Sequence, residues 1–208
     1  MPLPALFRDA LQVSPERIAA MDEMDLNLLM AELLHAQAYR CDSPQSEIRT
    51  NTEVKAADAG CDGWTARPLK DDDWLDAADT CWQFKAGSAG LPSRLKGEVS
   101  KPIPRETLSR GGRFVVVCSA SSNGKLGEQD RLDVLFAEAE AIGLPIDGIR
   151  VLGSERLTTW CNLHPAVAAR WAGRPDALWL LQDWSASPEH QVPWQASERV
   201  QLELEARR

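Results

Sequence analysis

The order of elements along the chain predicts an α/β fold, a mixed β-sheet flanked by helices on both faces. Three observations carry this. Phe114-Val115-Val116-Val117-Cys118 is an unbroken apolar run, as a central strand covered on both sides requires. Thr80 to Phe84 alternates instead, with Trp82 and Phe84 on one face and Gln83 and Lys85 on the other. Stretches of helical periodicity stand before, between and after the strands, giving the order helix, three strands, helix, strand, helix, strand, helices.

Taken in order, Ser14-Pro15-Glu16 reads as a helix start, with Ser as N-cap, Pro at the first helical position and an acid in the first turn. From about Asp22 to Tyr39, Leu26, Leu29, Met30 and Leu33 form one helical stripe with Gln37 in its middle, while Glu32 projects to solvent. Asp42-Ser43-Pro44 ends that helix. Ile48 to Val54 reads as a strand, Asp58 to Gly63 as a turn in which Gly60 and Gly63 are free to take positive φ, and Trp64 to Ala66 as a second strand. Pro68 to Asp79, with Lys70-Asp71-Asp72-Asp73, reads as a solvated polar connection to the third strand. Ala86 to Gly112 is a Gly-, Ser- and Pro-rich segment with a short helix near Arg105 to Ser109. After the apolar strand, a helix from about Leu126 to Ile142 is stopped by Gly143 and Pro145. Ile149 to Leu152 is a further strand, and helices follow near Glu155 to Asn162 and Pro165 to Ala172. Residues 1–180 therefore form the expected domain, and 181–208 a polar tail ending on a helix-like Ser197 to Arg208.

The 208 residues suffice for one substantial core and are too few for two comfortable ones. With 44% apolar and 26% charged residues the balance is that of a globular chain. No apolar run reaches 18 residues, and Met1 to Phe7 lacks the features of a signal peptide, so a cytoplasmic location away from membranes is expected. The five cysteines are odd in number and widely spread, without a CxxC pair, and read as buried free thiols of a reducing compartment. A net charge of −8 argues against a stand-alone nucleic-acid binder, whose affinity rests on phosphate contacts. Nucleic-acid binding then needs a local basic patch, further domains or an oligomer. Lys96, Lys101, Arg105, Arg110 and Arg113 make the Gly/Pro-rich segment locally basic, and Lys96, Lys101 and Arg105 are its candidate DNA contacts. Ser122-Asn123-Gly124-Lys125 lacks the upstream glycine of a P-loop, so the chain is not itself an ATPase.

Asp62 on its turn and Gln83 and Lys85 on one strand face make the inventory of a metal-dependent phosphodiesterase site. Such a site needs a divalent ion to neutralise phosphate charge and to lower the pKa of an attacking water. Mg²⁺ (or Mn²⁺) favours oxygen ligands, which Asp62, the Gln83 amide and the Phe84 carbonyl offer. Lys85, about 7 Å along the strand from Gln83, would hold the water or stabilise developing negative charge. Beside these, Asp58 reads as a turn-forming residue, Gln37 as a satisfied buried amide, and His164 before Pro165 as a helix start. Trp82, Trp160 and Trp171 read as core, with Trp64 or Trp74 the candidates for base stacking.

Asp58-Ala59-Gly60-Cys61-Asp62-Gly63 with Trp82-Gln83-Phe84-Lys85-Ala86-Gly87 resembles the Mrr-like branch of the PD-(D/E)xK nuclease superfamily in its QxK form. It is similar, more closely, to the N-terminal nuclease domains of bacterial antiviral STAND (Avs-type) ATPases. Leu29 to Ala38 resembles their first helix, and Trp160-Cys161-Asn162-Leu163-His164-Pro165-Ala166-Val167 a segment that follows their catalytic core. The similarity covers about Asp22 to Trp171. It implies a restriction-endonuclease-like sheet and Mg²⁺-dependent cleavage of double-stranded DNA by Asp62, Gln83 and Lys85. It also implies an effector role within a larger, homo-oligomeric defence protein. The family pattern more often has Gly at the place of Ala59, and an acid from the first helix often supports the metal where the inward polar position here is Gln37. Two readings stand beside this one: a weak or inactive nuclease-fold module that binds nucleic acid or docks, and an oligomerisation module. The glutamines in place of acids motivate the first. A large apolar surface and a separated Asp62 and Lys85 would mark the second.

Overall fold

Five strands form one mixed sheet in the order β1-β2-β3-β4-β5 in a computed structural model that describes residues 12–51, 59–66, 72–120 and 127–173. Strands β1 (Ile48–Thr50), β2 (Gly63–Thr65) and β3 (Thr80–Lys85) pair with one another in antiparallel fashion. Strands β4 (Arg113–Cys118) and β5 (Ile149–Leu152) then continue from β3 in parallel. The long crossovers demanded by the parallel pairs are supplied by helix α3 (Pro102–Ser109) between β3 and β4 and α4 (Glu128–Ala141) between β4 and β5. Helices α1 (Pro15–Ala19) and α2 (Glu23–Arg40) precede the sheet, and α5 (Ser154–Asn162) and α6 (Pro165–Trp171) follow it.

The expected α/β class, with helices on both faces of a mixed sheet, is what the chain adopts. Alternation along β3 and β4 sorts the two cores. Trp82, Phe84, Val115 and Val117 meet the helical stripe Leu26, Leu29, Met30 and Leu33 of α2, together with Leu157 and Trp160 of α5. On the other face, Cys81, Phe114, Val116 and Cys118 meet Leu108 of α3 and Leu135 and Ala139 of α4. Each fully buried Leu in these layers contributes about 1.5–3 kcal/mol.

Local signals behave as their chemistry dictates. The Ser14 hydroxyl accepts from the Arg17 N–H, and Asp22 Oδ1 from the Asp25 N–H at 2.8 Å, so both first helices carry the caps their sequence offers. Gly143 takes φ 71° and closes α4. The first strand is described over Ile48–Thr50, with residues 52–54 of the expected strand outside the described residues, and the short helix starts earlier, at Pro102, where proline's fixed φ suits the first turn. All five cysteines are free, and burial pushes the Cys118 and Cys161 thiols up to about 12, which keeps them inert.

Two expectations need correction. Glu32 is half-buried rather than solvent-facing: it accepts from Trp171 Nε1 at 2.8 Å and pairs with Arg170, because α6 folds back over that side of α2. Asp72 is no solvated loop residue, as its Oδ1 accepts from the N–H groups of Trp74 and Leu75 at 2.7 Å each. Lys70 and Asp71, Asp58, and the expected terminal helix Ser197 to Arg208 lie outside the described residues. Among the described residues no helix is long and apolar enough to cross a membrane.

Candidate active site

Asp62 stands one residue before β2, where the sheet ladder ends. Its N–H donates to the Trp82 carbonyl at 2.8 Å, and its own carbonyl accepts from the Asn51 N–H at 2.7 Å. The backbone is thereby fixed on both sides. Its side chain then reaches across to β3, where Oδ2 accepts from the Phe84 N–H at 2.6 Å and from Gln83 Nε2. The preceding turn is tight. Gly60 has φ 92°, and a Cβ there would lie 2.6 Å from the Lys101 stem, so this position excludes any side chain. Ala59 also sits in the left-handed region, at φ 51°, which explains why glycine suits that position better. Gly63, expected to be a second turn glycine, lies in β2 and does not have positive φ.

Asp62, Gln83 and Lys85 do converge. They line one hollow of about 180 Å³ with Glu23 from the first turn of α2, Ala89 and Lys101. Gln83 is 3% exposed, and its Oε1 has no hydrogen-bond partner among the described residues. A buried orphan acceptor costs about 1–3 kcal/mol. Its position suits an oxygen-seeking cation, because a half-turn of the amide would set Oε1 beside Asp62 Oδ2 in place of Nε2. The donor set fits a hard divalent ion, with one carboxylate, one amide oxygen and a second carboxylate, Glu23, on the same hollow. Among the described residues no group of three or more His, Cys, Asp or Glu side chains is arranged as a metal cluster. Any ion here is therefore held with few charged ligands.

The two lysines of the hollow share a partner that sequence reasoning missed. Glu98 is 6% exposed; its Oε1 pairs with Lys85 Nζ at 2.8 Å and its Oε2 with Lys101 Nζ at 2.6 Å. The hollow thus gathers Asp62 and Glu23 with Lys85 and Lys101, and Glu98, which does not line it, pairs with both lysines. Glu98 sits in a Gly- and Ser-rich loop that carries no periodicity, so its burial left no trace in the sequence. Glu23, in the first turn of α2, was not singled out from the sequence either.

The other expected contacts divide. Lys96 and Arg105 are exposed on the segment around α3, whereas Lys101 is engaged with Glu98. Arg110 pairs with Glu106 at 2.6 Å and Arg113 with Asp76 at 3.5 Å, so with Lys101 three of the five basic residues of that segment are paired with acids. A second hollow, about 300 Å³, flanks Asp62 on its other side and is lined by Arg49, Asn51 and the half-buried Trp64. Trp74 is not available to stack on a base, because its ring lies on Trp160 with centroids 5.1 Å apart. A further hollow, about 480 Å³, lies at the opposite end of β3, between Trp64, Asp76, Thr107 and Arg113.

Gln37 is remote from this chemistry. Its Nε2 donates to Asp72 Oδ2 at 2.5 Å, and its Oε1 accepts from Trp160 Nε1 at 3.0 Å and His164 Nε2 at 2.8 Å. Cys41 Sγ also donates to Asp72, at 2.7 Å. Burial pushes the Asp72 carboxyl up, but the bonds from Cys41, Leu75, Trp74 and Gln37 together outweigh it and hold the group below its ordinary value. Burial and Arg40 lower His164 against the pull of Asp72, so the ring stays neutral and donates from Nε2.

Comparison of the chain with known proteins finds no matching family model, no matching curated protein and no matching solved structure.

Proposed function

We propose that this chain is a metal-dependent endonuclease domain that hydrolyses phosphodiester bonds of double-stranded DNA with Mg²⁺ or Mn²⁺. The single observation that supports this reading is the meeting of Asp62, Gln83 and Lys85 in one hollow at the end of β3, with the buried Gln83 Oε1 lacking a partner. Asp62 and Gln83 would hold the ion, with Glu23 close enough to add charge. When bound, the ion supplies Lewis acidity toward the phosphate and a more acidic water. The chain's own groups do the rest. Lys85 faces the same hollow and offers an ammonium to developing negative charge, and the exposed Lys96 and Arg105 are available to the flanking phosphates. An effector role in an antiviral assembly, with further domains and a homo-oligomeric state, rests on the motif resemblance described above.

Plasmid nicking with Mg²⁺ or Mn²⁺, wild type against Lys85→Ala, tests the proposal. Loss of one group that acts on developing charge lowers the rate by about 100- to 1,000-fold. Equal nicking by both proteins removes Lys85 from the mechanism.

A second reading is favoured by one observation: Gln83 presents an N–H rather than an oxygen to Asp62, so the amide already satisfies the carboxylate. In that reading the module binds nucleic acid without cutting it. DNA binding that is indifferent to Mn²⁺, with no Mn²⁺ heat in calorimetry, would select it.

A further inference from the structure

We propose that Glu98 is a positioning residue that fixes Lys85 and Lys101 as a paired phosphate clamp. The inference rests on the nuclease reading above, and it extends that reading to what the site grips: the charged backbone of the substrate rather than its bases. One carboxylate pairs with both lysines, Oε1 at 2.8 Å from Lys85 Nζ and Oε2 at 2.6 Å from Lys101 Nζ, the second an ion-pair contact without hydrogen-bond geometry. The two ammonium groups are therefore kept no farther apart than one carboxylate and two ion-pair contacts allow, a spacing suited to neighbouring oxygens of a phosphodiester. A pair of point charges so placed reads no base edge and so confers no sequence preference.

Glu98 is itself built in. On α4, Glu138 accepts from the Gly97 N–H at 2.8 Å, the Ser100 N–H at 2.9 Å and the Ser100 hydroxyl at 2.5 Å. These three bonds staple both sides of Glu98 to a helix of the sheet's outer layer. Leu95 and Val99, fully buried beside it, anchor the same loop in the core. The Lys101 stem in turn fills the space beneath Gly60, so the lysine pair is packed against the turn that delivers Asp62. A carboxylate fastened this firmly orients its partners; a releasable latch would sit on an unanchored loop.

The test uses the whole chain and two variants, Glu98→Gln and Glu98→Asp, with thermal melting to establish folding. The first readout is the ammonium resonance of Lys85 in ¹⁵N-labelled protein, whose hydrogens exchange slowly when paired. Loss of that protection is expected in folded Glu98→Gln, with recovery in Glu98→Asp if the shorter carboxylate still reaches. The second readout is Mn²⁺-supported nicking. Glu98→Gln is expected to lower kcat by about 10- to 100-fold with KM within about threefold, as for loss of a group that orients a catalytic partner. Glu98→Asp is expected to recover part of kcat. Unchanged Lys85 protection, or unchanged kcat in folded Glu98→Gln, overturns the proposal. Altered protection in a wild-type background that never nicks DNA upholds the clamp and defeats the nuclease reading instead.

Discussion

The same chemical pair occurs twice in this molecule, with opposite consequences. Gln37 donates to Asp72 on one side of the sheet, and Gln83 donates to Asp62 at the sheet's end. In the first pair every polar atom is answered: Gln37 Oε1 takes two donors, from Trp160 and His164, and Asp72 takes four. In the second, Gln83 Oε1 is buried with no donor among the described residues, and the pair opens on a hollow with lysines on its rim. A closed polar network pins helices together; the open one leaves an acceptor beside a hollow. The comparison teaches that the residue types do not distinguish the two pairs. What sets the second apart is the unanswered acceptor together with the hollow and its lysines, since the buried Asn27 Oδ1 is equally unanswered among the described residues with no such surroundings.

The sharpest way to break the comparison is to remove each glutamine. Gln37→Leu strands Trp160 Nε1, His164 Nε2 and one bond of Asp72, each worth about 1–3 kcal/mol when buried, so a loss of roughly 3 kcal/mol or more is expected in urea unfolding. Gln83→Leu removes an orphan acceptor along with one donor to Asp62 and is expected to change stability by less than about 1 kcal/mol. Equal losses at both positions would erase the distinction between scaffold and site.

Adding charge sharpens it further. Gln83→Glu sets two carboxylates within hydrogen-bonding distance, so metal-free protein is expected to lose about 1–2 kcal/mol at neutral pH, while Mn²⁺ binds about tenfold more tightly in calorimetry. A variant that is destabilised without gaining Mn²⁺ affinity would show that the open pair is no cation site.

The smallest effect is one of pH. His164 is held below its ordinary value of 6.5 by burial and Arg40, so the unfolded chain takes up a proton that the folded state refuses. Its contribution is whole above about pH 6.5 and is lost as pH falls below that. The depressed carboxyl of Asp72 contributes stability that is present above about pH 4 and lost as pH falls through its folded value. Thermal midpoints between pH 7.5 and 5.5 are expected to decline in wild type and to flatten in His164→Asn, which can still donate to Gln37 without titrating. An unchanged slope in that variant would remove His164 from the acid response.

Much of the fold was legible because periodicity reports burial. The stripe of α2, the apolar run of β4 and the alternation of β3 each name a face, and the sheet follows from them. Asp62, Gln83 and Lys85 were legible as well, since a turn and a strand of known direction restrict where their side chains point. Glu98, Glu138 and Glu23 were not. Their places depend on how the segment from Leu91 to Ser100 lies over α4 and on where α2 begins relative to β3, and pairing over such distances has no sequence period. Asp72 and Glu32 were misread for a related reason. An isolated acid reads as solvated until a tertiary donor reaches it.

The place of Asp62 beside β3 has one more consequence. Its Oδ2 takes the N–H of Phe84, a bond that a neighbouring strand's carbonyl would otherwise supply, while Gln83 covers the same oxygen. The carboxylate is therefore a splice in the sheet, a structural duty that needs no ion. Under the nuclease proposal Asp62 and Gln83 would hold a cation as well, with the amide oxygen of Gln83 turned toward it. By the same token, neutralising Asp62 is expected to fray the strands it joins, and removing Lys85 is expected to leave the buried Glu98 with one ion-pair partner fewer, so neither change spares the architecture.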